Sequence, residues 1–150
     1  MKNTIAIYLE ENPMFATFVG LVKFSALYQD LHRSQNITVM AVPNEVFQKM
    51  NASGFAQLIN ETRDTIKSII QDHIIQRKYK ARNFVHGSEI QTMNGSNVII
   101  YNKDGILKIH DSLVLKSDIR LHNGVVHILD SLVKQEMILD SLAVDGYNRK

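Results

Sequence analysis

Six histidines, fifteen acidic and seventeen basic side chains carry the chemistry available to this 150-residue chain. Cysteine is absent, which removes thiolate nucleophiles, disulfide frameworks and cysteine-rich zinc sites together. Asp72 and His73 form an adjacent carboxylate and imidazole, and a carboxylate can orient an imidazole for base chemistry. Ile66, Ile69, Ile70, His73 and Ile74 repeat at i, i+3, i+4, i+7 and i+8, so His73 is predicted to project from the apolar face of a helix. Successive helical residues point about 100° apart, which turns Asp72 away from His73. A hydrogen-bonded structural histidine is the first reading, a protein contact through Asp72 and His73 the second, and a hydrolase using His73 a remote third. His122 and His127 lie five apart, on opposite faces of any strand, so they cannot share an ion and no metal site is expected. No G-x-S-x-G, P-loop, G-x-G-x-x-G or H-E-x-x-H pattern occurs, so no catalytic residue and no cofactor is assigned.

Arg77-Lys78-Tyr79-Lys80-Ala81-Arg82 is the one dense basic segment. If extended, Lys78, Lys80 and Arg82 project from one face, at a spacing that suits successive sulfates or phosphates on a linear polyanion. A solvated edge strand protected by its lysines is the competing reading. Nucleic acid is disfavoured, because a net charge of +2 gives no broad electrostatic footprint and the single tyrosine of this segment, Tyr79, gives no stacking platform. Asn51, Asn60 and Asn94 open N-x-[ST] triplets and are candidate glycosylation sites; Asn36 opens a fourth at the start of a predicted core strand, where a glycan is awkward.

The elements that must position these groups follow from pattern. At 45% hydrophobic content, 150 residues support one core, and two separate domains would each be marginal. No apolar run reaches the roughly 20 residues of a membrane span, and Ile5 to Leu9 is too short for a secretory core before Glu10. Phe15, Phe18, Val19 and Val22 define a helix within Pro13 to Ala26. Ile37 to Val42 reads as a buried strand stopped by Pro43, with Asn44 as the N-cap of a short following helix. In the second half the period becomes two: Val98 to Tyr101 and Ile106 to Ile109 flank an Asp104-Gly105 hairpin turn, and Leu113 to Leu115 and Val125 to Leu129 are further strands separated by a polar loop. Helices first and strands later predict an α+β domain. Residues 1–135 form that domain in this reading, and 136–150 are a C-terminal extension, partly frayed.

Two stretches resemble known signatures. Ile37-Thr38-Val39-Met40-Ala41-Val42-Pro43-Asn44-Glu45-Val46-Phe47 resembles the first signature of fasciclin-like (FAS1) domains, a T-x-F-A-P-[TN]-x-x-A-F type of pattern. Asn123-Gly124-Val125-Val126-His127-Ile128-Leu129-Asp130 is similar to the second, N-G-V-[VI]-H-x-[ID]-D, almost letter for letter. Asn12 to Phe18 is similar to the family's opening helix, and Lys116-Ser117-Asp118-Ile119 to the segment before the second signature. Where many members carry Tyr-His at the end of the central helix, this chain has Asp72-His73.

The resemblance implies a wedge-like β-sandwich with helices packed along one side. It also implies an extracellular, cell-surface or periplasmic role in adhesion or matrix contact, through protein partners and without catalysis. A sulfated glycosaminoglycan held by Arg77, Lys78, Lys80 and Arg82 is the alternative partner. Thr38, Pro43, Asn44, Phe47, Asn123, Gly124, Val126, His127 and Asp130 are assigned to folding.

Overall fold

The computed structural model describes residues 3–50 and 52–140. Six helices, α1 (Ile5–Glu11), α2 (Ala16–Phe24), α3 (Tyr28–Arg33), α4 (Asn44–Lys49), α5 (Ala52–Ile59) and α6 (Arg63–Gln71), surround the first strand, β1 (Ile37–Ala41). The strands β2 (Ile74–Ile75), β3 (Glu89–Gln91), β4 (Asn97–Lys103), β5 (Ile106–Ile109), β6 (Ser112–Leu121) and β7 (Gly124–Leu129) follow. The α+β class is therefore observed, with the strands in the order β2-β1-β7-β6-β5-β4-β3. β1 runs parallel to β7 and every other pairing is antiparallel. Met93 N–H donates to the Ile74 carbonyl at 2.8 Å, so the two ends of the sheet meet and the expected sandwich is a single, nearly closed sheet.

Local chemistry explains most boundaries. Thr4 caps α1, its Oγ1 accepting from Ile7 N–H, and Thr62 caps α6 by accepting from Thr65 N–H. Asp104 and Gly105 both take positive φ, the two-residue turn that a twisted hairpin needs. Asn44 departs from its expected role. Its own helix is entered through Pro43 without a side-chain cap, while Asn44 Oδ1 accepts from Thr17 N–H at 3.0 Å and Nδ2 donates to the Pro13 carbonyl. It thus caps α2, whose own N-cap, Phe15, has no side-chain acceptor.

Three further expectations change. α6 ends at Gln71, and Ile74, read as the last residue of a helical face, instead pairs with Val39 in β2; strand pairing overrides the helical spacing there. Residues 116–121, read as a polar loop, complete β6, whose register shifts twice along β7. Residues 135–140, expected to lie mostly in a partly frayed extension, are helical, and Ile138 and Leu139 pack on the core; the rest of the expected extension lies outside the described residues. Among the described residues no helix is long and apolar enough to cross a membrane.

Cross-strand partners share a face, which sorts the sheet into two sides. Val39, Val126 and Ile128 turn one side towards the helices and form the main core with Phe18, Ile66 and Ile70. Thr38, Val125 and His127 point to the other side. The parallel β1/β7 pair is close enough that a Cβ on Gly124 would come 1.9 Å from the Ile37 carbonyl oxygen, so only glycine fits.

Candidate functional site

The second side of the sheet is covered by a strap, residues 77–84. This segment is neither the expected edge strand nor a regular helix: it runs extended to Lys80 and then makes one 3₁₀ turn, Ala81–Asn83. Four side chains from the sheet hold its backbone. Thr38 Oγ1 donates to the Arg77 carbonyl at 2.6 Å and accepts from Tyr79 N–H at 2.7 Å. His127 Nε2 bonds the Tyr79 carbonyl at 2.7 Å, the Asp118 carboxylate accepts from Ala81 N–H at 2.7 Å, and Asn102 Nδ2 donates to the Ala81 and Phe84 carbonyls. Tyr79 stacks on Phe84 at 5.1 Å, and Phe84 meets the His127 ring edge-on at 5.5 Å.

The partners set the tautomer of His127. A carbonyl only accepts, so Nε2 carries the proton, and Nδ1 accepts from Asp118 N–H at 3.1 Å. Burial pushes the His127 pKa down, opposed by the bond to the Tyr79 carbonyl and by the Asp118 charge, so the ring is neutral at pH 7. Asp118 reaches both partners because it sits at positive φ in the irregular stretch of β6, and such a bulge re-aims a side chain.

Pinning the strap fixes its cations. Lys78 and Arg82 are exposed and Lys80 is half-buried. Arg120, which the polar-loop reading of 116–121 left out, pairs with Val125 and so stands on the strap's side of the sheet. Its signal was the alternation of Asp118 and Arg120 with Ile119 and Leu121. Arg120 is the first cause, ahead of burial, Arg82 and Lys78, that holds the Lys80 pKa below its usual value, with Asp118 opposing. Among the described residues the ion pairs are Lys23 with Glu10 and Lys49 with Glu45, so none of these four cations is in one. Arg77 is exposed at the start of the strap.

The Asp72 and His73 pair is not a surface. His73 is fully buried: Nδ1 donates to the Ile69 carbonyl at 2.8 Å, Nε2 accepts from Val133 N–H at 2.9 Å, and the ring meets Phe18 edge-on at 6.0 Å. Burial pushes its pKa down, opposed by the Ile69 carbonyl and the Asp72 charge. The expected contact through His73 is therefore corrected, and with both nitrogens committed to backbone the ring has no lone pair for hydrolytic base chemistry. Asp72 is half-buried and accepts from Thr92 and Ser96 hydroxyls at 2.9 and 2.5 Å, which ties α6 to the β3–β4 turn.

The signature residues serve the frame. Asn123 is buried, accepting from Ile5 N–H and donating to the Leu31 and Ser34 carbonyls. Asp130 accepts from Leu113 N–H, and Phe47 packs edge-on against Phe55. Of the glycosylation candidates, Asn60 and Asn94 are exposed, as is Asn36 at positive φ; Asn51 lies outside the described residues.

A second surface went unread in the sequence. The helix-facing side of the sheet continues onto β4 and β5, where Ile99, Tyr101 and Ile106 are 50%, 38% and 43% exposed. Lys108 pairs with Tyr101 and holds its ammonium 5.8 Å from the ring centre; His86 meets that ring edge-on at 5.0 Å, and Glu89 pairs with Ile99.

Comparison with known proteins adds independent findings. The family model described as Fasciclin domain matches residues 13–135. Protein sll1483 of Synechocystis sp. is 28% identical over 135 residues, 89% of this chain and 74% of that protein. Transforming growth factor-beta-induced protein ig-h3 of Sus scrofa is 25% identical, and human periostin 24%. Those alignments take 89% and 83% of this chain but only 20% and 15% of the relatives, so the chain corresponds to a small part of each. Among solved structures, a FAS1 domain pair from the insect cell adhesion molecule Fasciclin I aligns with a TM-score of 0.76 at 21% identity, over 91% of this chain and 52% of that one, which establishes the likeness of fold.

Proposed function

This chain belongs to the fasciclin domain family, and from that premise we propose that it is a recognition domain of the adhesion or extracellular-matrix type. It holds a protein partner at an open surface, outside the cell or at its surface, and performs no chemistry on it. The observation that carries this reading is the uncovered stretch of β4 and β5, where Ile99, Tyr101 and Ile106 stand together in solvent. Grouped apolar side chains with an aromatic anchor and a charged rim are the make-up of an interface core, and a face left in water without a partner is unfavourable. Glu89, Lys103 and Lys108 supply the rim. That the similar solved structure comes from a cell adhesion molecule supports the same class of role.

The test is binding of the purified domain to immobilised matrix proteins at about 0.15 M salt and again at high salt, where exposed charges are screened. Salt-resistant binding that falls roughly tenfold or more in Tyr101→Ala and Ile99→Asp, with melting unchanged, is the expected result. Full-strength binding by the double variant would remove this face from the reading.

A further inference from the structure

We propose that Lys78, Lys80, Arg82 and Arg120 form a docking site for a sulfated polysaccharide, on the opposite side of the sheet from the exposed face of β4 and β5. The site is separate from the protein-binding face, and either can fail without the other.

A surface cation on a loose loop must be ordered when it binds, and that ordering costs free energy. Here Thr38, His127, Asp118 and Asn102 already fix the strap through direct bonds to its main chain. Lys78 and Lys80 are two residues apart on an extended stretch, about 6.6 Å along the chain at the usual rise of a strand. Arg82 follows on the 3₁₀ turn, and Arg120 reaches the same place from β6. The result is a cluster of cations, most of them carried on a pinned backbone, drawn from two segments far apart in sequence.

Charge identifies the ligand. Four like charges in one place repel, and none of them forms an ion pair within the described residues. The lowered Lys80 pKa has this same cause. Asp118, the nearby carboxylate, is turned to Ala81 N–H. A ligand that brings several fixed negative charges relieves the repulsion.

Polymer class follows from what surrounds the cations. Single-stranded nucleic acid is gripped by aromatic faces as well as charge, but the two aromatic side chains of the strap, Tyr79 and Phe84, are stacked on each other, the first half-buried and the second buried. Beside Arg82 lies a groove of about 420 Å³, shared with Asn102, Leu115 and Ser117, where the Asn102 amide oxygen and the Ser117 hydroxyl suit sugar hydroxyl groups. Guanidinium groups bind oxyanions, sulfate esters among them, through two parallel hydrogen bonds, which suits Arg82 and Arg120 to a sulfated chain.

The experiment uses the whole chain on immobilised heparin, with chemically desulfated heparin, a single-stranded oligonucleotide and polyglutamate as competitors. Expected are retention at about 0.15 M salt, release at high salt, and competition by heparin alone. The variant carrying Lys78→Ala, Lys80→Ala, Arg82→Ala and Arg120→Ala should lose retention while keeping its melting temperature. Arg120→Ala alone should weaken binding roughly threefold and lower the log–log salt slope by about one, as each lost contact to a polyanion does. Tyr101→Ala should bind heparin unchanged. No retention of the unaltered chain, full retention of the fourfold variant, or equal competition by desulfated heparin or polyglutamate would overturn the proposal. Stronger competition by the oligonucleotide would overturn it in favour of nucleic acid.

Discussion

His73 and His127 are the same device placed in two layers of the molecule. Each is fully buried, each bridges a backbone donor and a backbone acceptor, and each rests against the edge of a phenylalanine, Phe18 for one and Phe84 for the other. They differ in what they bind together. His73 ties the end of α6 to Val133, inside the helix-covered core, whereas His127 ties the irregular part of β6 to a strap that carries the cationic row. A buried imidazole stabilises in both places, but only one of them also shapes a surface.

Core variants set the upper end of this contrast. Val126→Asp puts an unpaired charge into the helix side of the sheet, at a cost of several kcal/mol against a total of about 5–15 kcal/mol. Circular dichroism should find no cooperative melt, and a melt unchanged from the parent would refute the burial assigned to Val126.

The histidines themselves come next. Either replacement by alanine leaves a backbone N–H and a backbone C=O unpaired, buried at His73 and part-buried at His127, costing about 2–4 kcal/mol at the first and less at the second. His127→Ala should in addition loosen the strap, so trypsin cuts after Arg77, Lys78, Lys80 or Arg82 well below the melting temperature. His73→Ala should lower the melt without that selective cleavage. Equal cleavage rates in the two variants would dissolve the distinction between them.

Acid probes both at once. Each histidine has its folded pKa lowered by burial, so the unfolded chain binds more protons below about pH 6.5. Their stabilisation is present above that pH and is lost as pH falls from there towards the depressed folded values. The melting temperature should drop between about pH 6.5 and 5, and the drop should shrink in His127→Ala. A flat profile over that window would mean that the buried rings are not held neutral.

The smallest effect concerns a remote cap. Asn44→Ala removes the acceptor for Thr17 N–H and should cost about 1 kcal/mol, read as a modest loss in denaturant midpoint with no change in strap cleavage.

Much of the fold was legible in the residues because its causes are local. The strand stopped by Pro43, the Asp104-Gly105 turn and the change of period from helix to strand each follow from a few neighbours, and two signatures were enough to suggest the family. What the sequence by itself determined is the α+β class, the two signature strands and the presence of a basic segment at 77–82. The tertiary structure decided what those pieces do. Whether His73 faces a partner or the core depends on Val133, sixty positions away, and whether 77–82 is an edge strand or a pinned strap depends on Thr38, Asn102, Asp118 and His127. Arg120 joins the cations only because β6 pairs with β7 through an irregular register. Periodicity records which residues share a face of one element; it carries no information about which distant element that face will meet.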